Sequence, residues 1–382
     1  LDQKRLDMLR SGKSPVYEDG LEPILVRLNE LGLIMFTDDQ DETVRNSDVL
    51  FIGVGTPSLS DGAADLSAVI AVAERLRYEI SKYTVIVVKS TVPVGTLSIV
   101  TDILSQKLRE GEDFDVVSNP EFLREGAAIG DFLRPDRVVV GTEAGDDQAL
   151  AIMKDLYRPL FLNETPFVFT DLVSSEISKY AANAFLATKV SFVNELSLLC
   201  DDVGGDVQSV ARAMGLDRRI GPKFLHAGPG YGGSCFPKDT RAVARSVRDL
   251  GRKFEIVEAA IKANGHQLEY ATEKIVSACD GDLKGKVVAI LGLSFKPETD
   301  DIRESSSLAI VVALLKGGAQ VRAFDPQAMG PASRKFPELV LCEDAYDASE
   351  GADVLVIVTE WNEFRALDLQ RAKELLNRPV MV

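Results

Sequence analysis

The chain has 382 residues, which is enough for two or three domains, each with its own hydrophobic core. Apolar residues make up 46% and charged residues 27%, an ordinary globular composition that argues against extensive disorder. The net charge of −16 argues against non-specific binding to nucleic acids or anionic membranes, because both attract basic proteins. The sequence contains no run of apolar residues long enough for a transmembrane helix.

The numbers and spacing of cysteines and histidines argue against several kinds of metal site and active site. The cysteines are widely spaced and form no C-x-x-C pair, which favours a reducing compartment and excludes a cysteine-based zinc ribbon. With only two histidines, a His-rich metal site and a Ser-His-Asp hydrolase are both disfavoured. We therefore expect a cytoplasmic protein with no bound metal. The four cysteines are Cys200, Cys235, Cys279 and Cys342, and the two histidines are His226 and His266.

The first 170 residues alternate short apolar segments with helical patterns. Unbroken apolar runs are typical of strands buried on both faces of a parallel sheet. This alternation predicts a parallel, doubly wound sheet. Strands are predicted at 49–54, 84–88, 114–117, 137–140 and 167–169, and helices at 66–78 and 96–108.

The middle of the chain has a different pattern. A stretch that begins at 174–176 contains no Pro or Gly before Gly204, which predicts one long helix between domains. Residues 206–270 have a helical pattern interrupted by glycines. The strand–helix alternation then returns, with strands predicted at 287–292, 321–325 and 354–358 and a helix at 306–316.

These patterns predict an α/β fold with two Rossmann-like, doubly wound parallel-sheet domains. A long central helix and a helical middle region join them. The predicted boundaries are 1–170, 171–275 and 276–382.

The ends of the sequence lack features that such domains usually have. A nucleotide-binding α/β domain normally opens with a strand and a G-x-G-x-x-G loop, whereas the first six residues have the pattern of a loop entering a helix. The last four residues stop within a strand pattern. We therefore expect the sequence to be clipped at both ends.

Three polar segments directly follow predicted strands of the first domain, at 55–57, 90–96 and 118–126. In open α/β sheets, ligands bind outside the carboxyl ends of the strands. The three segments would offer hydroxyl groups, backbone N–H groups and two carboxylates to such a ligand. For any one of them alone, an ordinary turn with a helix cap is an equally good interpretation.

The segment 218–239 combines basic side chains with glycines. Residues 218–245 contain six Arg or Lys and a single acid, Asp239, although the whole chain is acidic. Glycines allow close approach of a ligand to the backbone, and basic charge suits a phosphorylated ligand. The glycine spacing at 228–233 is not a dinucleotide fingerprint, because no strand precedes it.

Cys235 follows this glycine-rich segment at the predicted start of a helix. A thiol at a helix N-terminus near Lys238 should have a lowered pKa and thiolate character. Its polar neighbours favour this interpretation, whereas the other three cysteines fit small buried apolar side chains.

Further along the chain, two other pairs of polar residues could contact a ligand. Lys179 and Asn183 are one helical turn apart, either facing solvent or projecting into a cleft where the lysine could stabilise an alkoxide. Lys296 and Arg303 follow a strand of the last domain, where they could bind phosphate or simply stabilise a turn.

Together these residues resemble the nucleotide-sugar dehydrogenases, the UDP-glucose/GDP-mannose dehydrogenase family. The resemblance covers nearly the whole chain, and six motifs in the same order make it specific. The GPKFL segment and Ser234 resemble the UDP-glucose 6-dehydrogenase branch most. The motifs are KSTVPVGT (89–96), NPEFLREG (119–126), KxxxNAFLA (179–187), RIGPKFL (219–225), GYGGSCFPKDT (230–240) and FKPETDDIRESSS (295–307).

The resemblance implies an activity and a set of roles. The family joins an N-terminal NAD domain and a C-terminal UDP-sugar domain by a helix that forms a homodimer. The reaction oxidises UDP-glucose twice at C6, with two NAD and one water, through a thiohemiacetal and a thioester on Cys235. Lys179 and Asn183 are assigned to the developing oxyanion, and Asp239, Glu121 and Thr91 to proton handling and water activation. The base of the first step stays open.

The resemblance also implies ligand contacts. The chain as given lacks the family's first strand and glycine-rich dinucleotide-binding loop, so it is expected to bind NAD weakly or not at all. The cofactor contacts are Arg5, Thr56, Thr91, Glu125 and Arg303. The substrate contacts are Glu121, Phe122, Leu123, Lys179, Asn183, Arg219, Lys223, Phe224, Leu225, His226, Ala227, Gly228, Gly232, Lys238 and Lys296.

Two alternative functions remain open on the sequence. One is a sister dehydrogenase that uses GDP-mannose or a UDP-N-acetylhexosamine such as UDP-N-acetylmannosamine. The other is a non-catalytic dimeric scaffold or thiol sensor that has kept the fold.

Overall fold

A computed structural model describes residues 2–161 and 163–382. The chain forms two compact units, and the division falls inside two of its helices. The first unit extends to Ala182 and also contains Arg241–Arg252. The second unit comprises Asn183–Thr240 and Lys253–Val382.

The first unit is built on a five-stranded sheet with the strand order β1-β2-β3-β4-β5. Every residue of β2 and β3 is buried, as their apolar runs predict. The strands are β1 Val49–Ile52, β2 Thr84–Val88, β3 Phe114–Ser118, β4 Val138–Gly141 and β5 Phe167–Thr170. The helices that precede or connect them are α1 Gln3–Arg10, α2 Leu21–Glu30, α3 Gln40–Asn46, α4 Ser67–Glu79, α5 Thr96–Leu104, α6 Ala128–Leu133, α7 Asp147–Leu156 and α8 Arg158–Phe161.

Helices cover both faces of this sheet. Successive residues of a strand point to opposite faces, so β2 contributes to two separate cores. Ile86 and Val88 pack in one cluster with residues of α4 and α5, such as Val69 and Val100. Val85 and Val87 pack in the other with Met153 of α7. The predicted doubly wound arrangement is therefore confirmed.

Several details differ from the sequence-based expectation, and strand β1, for example, ends at Ile52 rather than at 54. Strands β3 and β4 pair antiparallel, through Ser118 and Gly141, whereas the other pairs in this sheet are parallel. A parallel crossover usually contains a helix that packs along the sheet, and the segment between these strands contains only the six-residue α6. Helix α5 ends at Leu104 rather than 108, because the N–H groups of Gln106 and Lys107 donate to carbonyls three residues back, at Ile103 and Leu104, in a turn that closes the helix.

The long central helix predicted from the sequence is α9, Leu172–Val203, with 32 residues. Its first turn is capped by Asp171, whose carboxylate accepts the Ser174 N–H at 2.7 Å and therefore allows the helix to begin before Ser174. The helix ends where Gly204 adopts a left-handed conformation, with φ of 74°.

The second unit contains a helical region followed by a four-stranded parallel sheet, with the order β8-β7-β6-β9. Val288 and Ile290 of β6 pack towards one face, and Ala289 and Leu291 pack towards the other. This sheet is therefore also doubly wound. Its strands are β6 Val287–Leu291, β7 Gln320–Phe324, β8 Val340–Leu341 and β9 Val354–Ile357. The remaining helices are α10 Val207–Gly215, α11 Phe236–Asp249, α12 Glu255–Ala278, α13 Ser306–Lys316, α14 Met329–Lys335, α15 Ala345–Ser349, α16 Asn362–Arg365 and α17 Leu369–Leu375.

A buried carboxylate joins the carboxyl ends of β6 and β7. Asp325 accepts hydrogen bonds from the N–H groups of Leu293 and Ser294, from the Ala328 N–H and from the Trp361 indole. Because these bonds compensate the cost of burying its charge, Asp325 fixes the segment that follows β6. Within residues 2–161 and 163–382, no helix is long and apolar enough to cross a membrane.

The close approach of β4 to the start of α9 predicts a strong effect of a single methyl group. A Cβ at Gly141 would lie 2.5 Å from the Ser175 Cβ and 2.7 Å from the Asp171 carbonyl oxygen. We expect Gly141→Ala to lower the free energy of unfolding by about 1–3 kcal/mol in denaturant titrations, because the core has no space for the methyl group.

Gly130 in α6 is the matched control. A Cβ there meets nothing within 4 Å, and alanine favours the helix. Gly130→Ala should therefore raise the same free energy by roughly 0.5 kcal/mol. Equal effects of the two substitutions would show that the contact at Gly141 does not restrict the strand.

Candidate active site

The loops after β1 and β2 bring two predicted cofactor residues together. The two strands are parallel neighbours, so their carboxyl ends lie at the same edge of the sheet. The buried Thr56 hydroxyl donates a hydrogen bond to the Thr91 carbonyl at 2.8 Å. A Cβ at Gly53 or Gly55 would meet nothing within 4 Å, so the backbone after β1 borders open space. Hydroxyl groups and accessible backbone at this edge suit a dinucleotide, and these residues therefore fit NAD.

The loop after β3 supplies an ion pair. Lys179 of α9 is 3% exposed, and its Nζ lies 3.0 Å from Glu121 Oε1. The other Glu121 oxygen accepts the Leu123 N–H at 2.5 Å. The Lys179 ammonium also lies 5.4 Å from the centre of the Phe122 ring. Four predicted substrate residues are thus brought together within the first unit.

A second lysine, which the sequence analysis gave no role, lies in the same region. Lys89 follows β2, and its Nζ is 3.2 Å from Asn119 Oδ1, which also accepts the Tyr157 hydroxyl at 2.5 Å. Burial lowers the pKa of Lys89 from 10.5 to about 8; the Glu121 carboxylate opposes this shift and the Lys179 ammonium adds to it. The signals in the sequence were its position directly after a buried strand and its place at the start of the KSTVPVGT motif.

Two further carboxylates hold the loops of this region in place. Buried Glu176 of α9 accepts the N–H groups of Gly95 and Leu97 at 2.7 and 2.9 Å, at the N-terminus of α5. Burial raises the pKa of Glu176, and these hydrogen bonds oppose the shift. Glu18 accepts the N–H groups of Gly126 and Ala128, which fixes the loop that carries half-buried Glu125. Sequence reasoning missed both carboxylates because each bonds to a segment distant in the chain.

In the second unit, Cys235 occupies the cap position of α11. Its carbonyl accepts the Asp239 N–H at 2.8 Å, the first hydrogen bond of the helix, and its Sγ lies 3.5 Å from the Ser234 hydroxyl. It is half-buried, whereas Cys200, Cys279 and Cys342 are buried. The positive end of a helix dipole favours a thiolate, so Cys235 lies where a thiolate would be stabilised. Its thiolate character stays a prediction.

A buried polar cluster lies one turn into the same helix. Asp239 is 1% exposed; its two oxygens accept hydrogen bonds from Asn183 Nδ2 at 2.6 Å and from Lys238 Nζ at 2.7 Å. Cys235 and Asp239 are four residues apart and therefore share a face of α11. The structure brings together four residues that the sequence analysis had selected from two separate motifs.

The glycine-rich segment lines a pocket of about 150 Å³. This volume is below the roughly 300–1,000 Å³ of a pocket that encloses a whole drug-sized ligand, so it would hold only part of a nucleotide sugar. The titratable side chains in its lining are Lys296, His226 and Glu360. The lining comprises 226–230, 294–297, 305–307 and 358–360, all within the second unit.

Several predicted ligand residues lie elsewhere or are engaged locally. Exposed arginines pair with nearby acids: Arg5 with Asp2, Arg219 with Asp217 and Arg303 with Asp301. Lys223 is exposed. Leu225 is buried against Val193 and Ala211, which leaves its backbone rather than its side chain for a ligand. Phe224 has a left-handed backbone, and its ring lies 5.9 Å from that of Phe236. In the described part of the chain, no group of His, Cys, Asp or Glu could hold a metal ion.

Comparison with known proteins identifies the family. Residues 1–161, 173–266 and 289–382 match, in turn, the NAD binding, central and UDP binding domains of the UDP-glucose/GDP-mannose dehydrogenase family. The UDP-glucose 6-dehydrogenase of Rhizobium meliloti (strain 1021) is 48% identical over 382 residues, which cover 100% of this chain and 87% of the relative. The chain belongs to the UDP-glucose/GDP-mannose dehydrogenase family.

Other members of the family agree with this result. The UDP-glucose 6-dehydrogenase of Pseudomonas aeruginosa (strain PAO1) is 44% identical over 100% of this chain and 86% of its own length. A solved UDP-glucose dehydrogenase from Pyrobaculum islandicum has a TM-score of 0.93 and 37% identity, covering 100% of this chain and 90% of that chain. The resemblance inferred from the motifs is therefore confirmed, and the chain is an NAD-dependent oxidoreductase.

The buried charge of Lys89 predicts a pH-dependent stability. The folded-state pKa of about 8 lies below the ordinary 10.5, so the cost of burying the ammonium is fully present below pH 8 and is lost as the pH rises towards 10.5. The unfolding free energy of the wild type minus that of Lys89→Met should therefore rise by about 2 kcal/mol between pH 7 and pH 10.

Denaturant titrations of both proteins at several pH values measure this difference. In Lys89→Met, Asn119 still accepts the Tyr157 hydroxyl and Glu121 still pairs with Lys179, so neither acceptor loses its last partner. Lys4→Met on α1 controls for the loss of one positive charge. A difference that does not change with pH would contradict the burial of a charged Lys89.

Proposed function

We propose that this enzyme oxidises UDP-glucose at C6 to UDP-glucuronate, with two NAD and one water per turnover. The observation that carries the proposal is Cys235 at the N-terminus of α11, with the buried Asp239 cluster one turn further along the same face. The relatives at 48% and 44% identity are named UDP-glucose 6-dehydrogenases. The proposed residue roles rest on the position of each side chain and on the family resemblance.

Cys235 is the proposed nucleophile. Its thiolate adds to the C6 aldehyde that the first oxidation produces, and the new C–S bond gives a thiohemiacetal. The second oxidation converts this adduct to a thioester, which water cleaves to release the acid and the thiolate. NAD, when bound, supplies the oxidising power by accepting one hydride in each oxidation. Thr56 and Thr91 would hold it, together with the predicted contacts Glu125, Arg5 and Arg303.

Lys179 and Asn183 are the proposed donors to the oxygen at C6. A lysine ammonium has three N–H donors and an asparagine amide has two, and the contacts to Glu121 and Asp239 each use one of them. The remaining N–H groups can stabilise an alkoxide or a tetrahedral oxyanion. Because both side chains are buried, little water competes with the substrate oxygen for these donors.

Asp239, Glu121 and Thr91 are the proposed proton-handling groups. Asp239 is held in place by hydrogen bonds from Asn183 and Lys238, as expected of a group that orients a water molecule. Glu121 is only partly buried, with one oxygen on Lys179 and the other on a backbone N–H. A carboxylate with room for one more hydrogen bond can accept a proton from a hydroxyl group or from water.

The pocket at 226–230 and 294–297 is the proposed site for part of the UDP group. The close approach to the backbone that glycines allow and the positive charge of Lys296 suit a diphosphate. The other proposed contacts are Lys238 and Gly232 near Cys235, and Arg219, Lys223, Phe224 and Leu225 before the pocket.

The assembly and location of the enzyme are also part of the proposal. Large apolar side chains are exposed along α9 at Phe185, Phe192, Leu199 and Val203. Their spacing places them on one stripe of the helix, which supports a homodimer. The four free thiols support a cytoplasmic location.

Turnover with a panel of nucleotide sugars tests the substrate assignment. NADH formation should be fastest with UDP-glucose, with two NADH per UDP-glucuronate released. Faster oxidation of GDP-mannose or a UDP-N-acetylhexosamine would assign the chain to a sister activity. No NADH with any sugar, from protein that binds NAD, would favour the scaffold or thiol-sensor alternative.

Cys235→Ser should abolish release of UDP-glucuronate, because a serine hydroxyl at neutral pH does not supply the anion that a thiolate does. UDP-glucose binding, measured by calorimetry, should persist. Cys200→Ser, at a buried thiol with no proposed role, is the matched control and should retain turnover. Normal product release by Cys235→Ser would remove the covalent mechanism.

Lys296→Ala should raise the KM for UDP-glucose by about tenfold, since it removes a charge-assisted contact to the diphosphate. Arg219→Ala should act in the same direction. The KM for NAD should stay within about twofold, because the proposed NAD contacts other than Arg303 lie in the first unit. Lys316→Ala, an exposed lysine of the second unit, controls for the change in net charge. An equal rise in both KM values would show that the pocket is wrongly assigned.

A further inference from the structure

Three amide side chains bind the backbone of the segment 228–233, here called the glycine loop. The Gly228 N–H donates to Asn194 Oδ1 at 2.9 Å, and the Gly228 carbonyl accepts from Gln267 Nε2 at 2.7 Å. Three residues later, the Tyr231 N–H donates to Asn264 Oδ1 at 2.7 Å, and the Tyr231 carbonyl accepts from Asn264 Nδ2 at 3.0 Å. Both polar backbone groups of two loop residues are therefore occupied by side chains.

The amides are carried by helices rather than by flexible loops. Asn194 belongs to α9, and Asn264 and Gln267 are three residues apart on α12, so the last two share a face. The two helices are joined by a hydrogen bond from the Ser191 hydroxyl to the Ala260 carbonyl at 3.0 Å. Asn194 and Gln267 are 1% and 6% exposed. Their positions are therefore fixed by packing.

The other side of the glycine loop is closed by the segment 295–306. The Gly233 N–H donates to the Arg303 carbonyl at 3.0 Å, and the Ser306 hydroxyl donates to the Gly230 carbonyl at 3.3 Å. A Cβ at Gly232 would lie 2.2 Å from the Glu304 carbonyl oxygen. A loop confined on both sides in this way has little freedom to adopt another conformation.

This restraint matters because a free glycine loop is costly to order. Fixing a residue's backbone costs conformational entropy, and glycine loses more freedom than other residues. If the ligand had to order the loop, that cost would be subtracted from its affinity. Amides are suited to the task because each carries a donor and an acceptor without charge. They can bind backbone without competing electrostatically with Lys296 for a diphosphate.

We propose that Asn194, Asn264 and Gln267 are positioning residues that hold the glycine loop in its ligand-binding conformation before the nucleotide sugar arrives. The inference rests on the proposed function, because it takes the pocket formed partly by this loop to be the UDP site. It goes beyond that function by assigning substrate affinity to residues that do not line the pocket.

Hydrogen–deuterium exchange and steady-state kinetics on the full chain test the proposal. In the wild type without ligand, exchange at the amides of Gly228 and Tyr231 should already be slow, and UDP should slow it little further. In Asn264→Ala, exchange across the glycine loop should be fast without ligand and slow again when UDP is added. The KM for UDP-glucose should rise by about tenfold, with kcat and the KM for NAD within about twofold.

Glu269→Ala, an exposed position on α12, is the matched control and should change neither exchange nor KM. Fast exchange of the loop in the ligand-free wild type would overturn the inference without any variant, even if Asn264→Ala fails to fold. So would an unchanged KM for UDP-glucose in a folded Asn264→Ala. Failure of the wild type to bind UDP or oxidise UDP-glucose would instead refute the proposed function, so the two failures are distinguishable.

Discussion

The cost of burying polar side chains on α9 determines how the loops of both units are placed. Burying a charge or an amide costs free energy, which a partner on another segment can compensate. Glu176 finds that partner at the N-terminus of α5, Lys179 at Glu121, Asn183 at Asp239 and Asn194 at Gly228. Each bond fixes a segment far away in the sequence. One helix therefore positions loops that would otherwise be free to move.

The buried ion pairs and the amide hydrogen bonds have different proposed roles in this enzyme. The ion pairs of Lys179 with Glu121 and of Lys238 with Asp239 place groups that can donate or accept protons. The amides of Asn194, Asn264 and Gln267 instead bind backbone and carry no charge. In the proposed function, this separation lets the amides hold the glycine loop without adding a charge beside the diphosphate site.

The sequence predicted the elements whose signals are local. The mostly apolar run at 84–88 correctly predicted a buried strand, and the absence of Pro and Gly before Gly204 correctly predicted a long helix. The motif around Cys235 predicted a thiol at a helix start, where the structure places it. The boundaries were less accurate: α5 ends four residues early, where turn hydrogen bonds reach back three residues instead of four.

The sequence by itself thus determined the strand–helix alternation, the family and the residues available for chemistry. Only the tertiary structure decided that Lys89 is buried beside Asn119, that Asp239 takes both Asn183 and Lys238, and that three amides clamp the glycine loop. It also decided the antiparallel pairing of β3 and β4. Periodicity records which face of an element is apolar, but a hydrogen bond between distant residues leaves no periodic signal, because it depends on where packing brings the two segments.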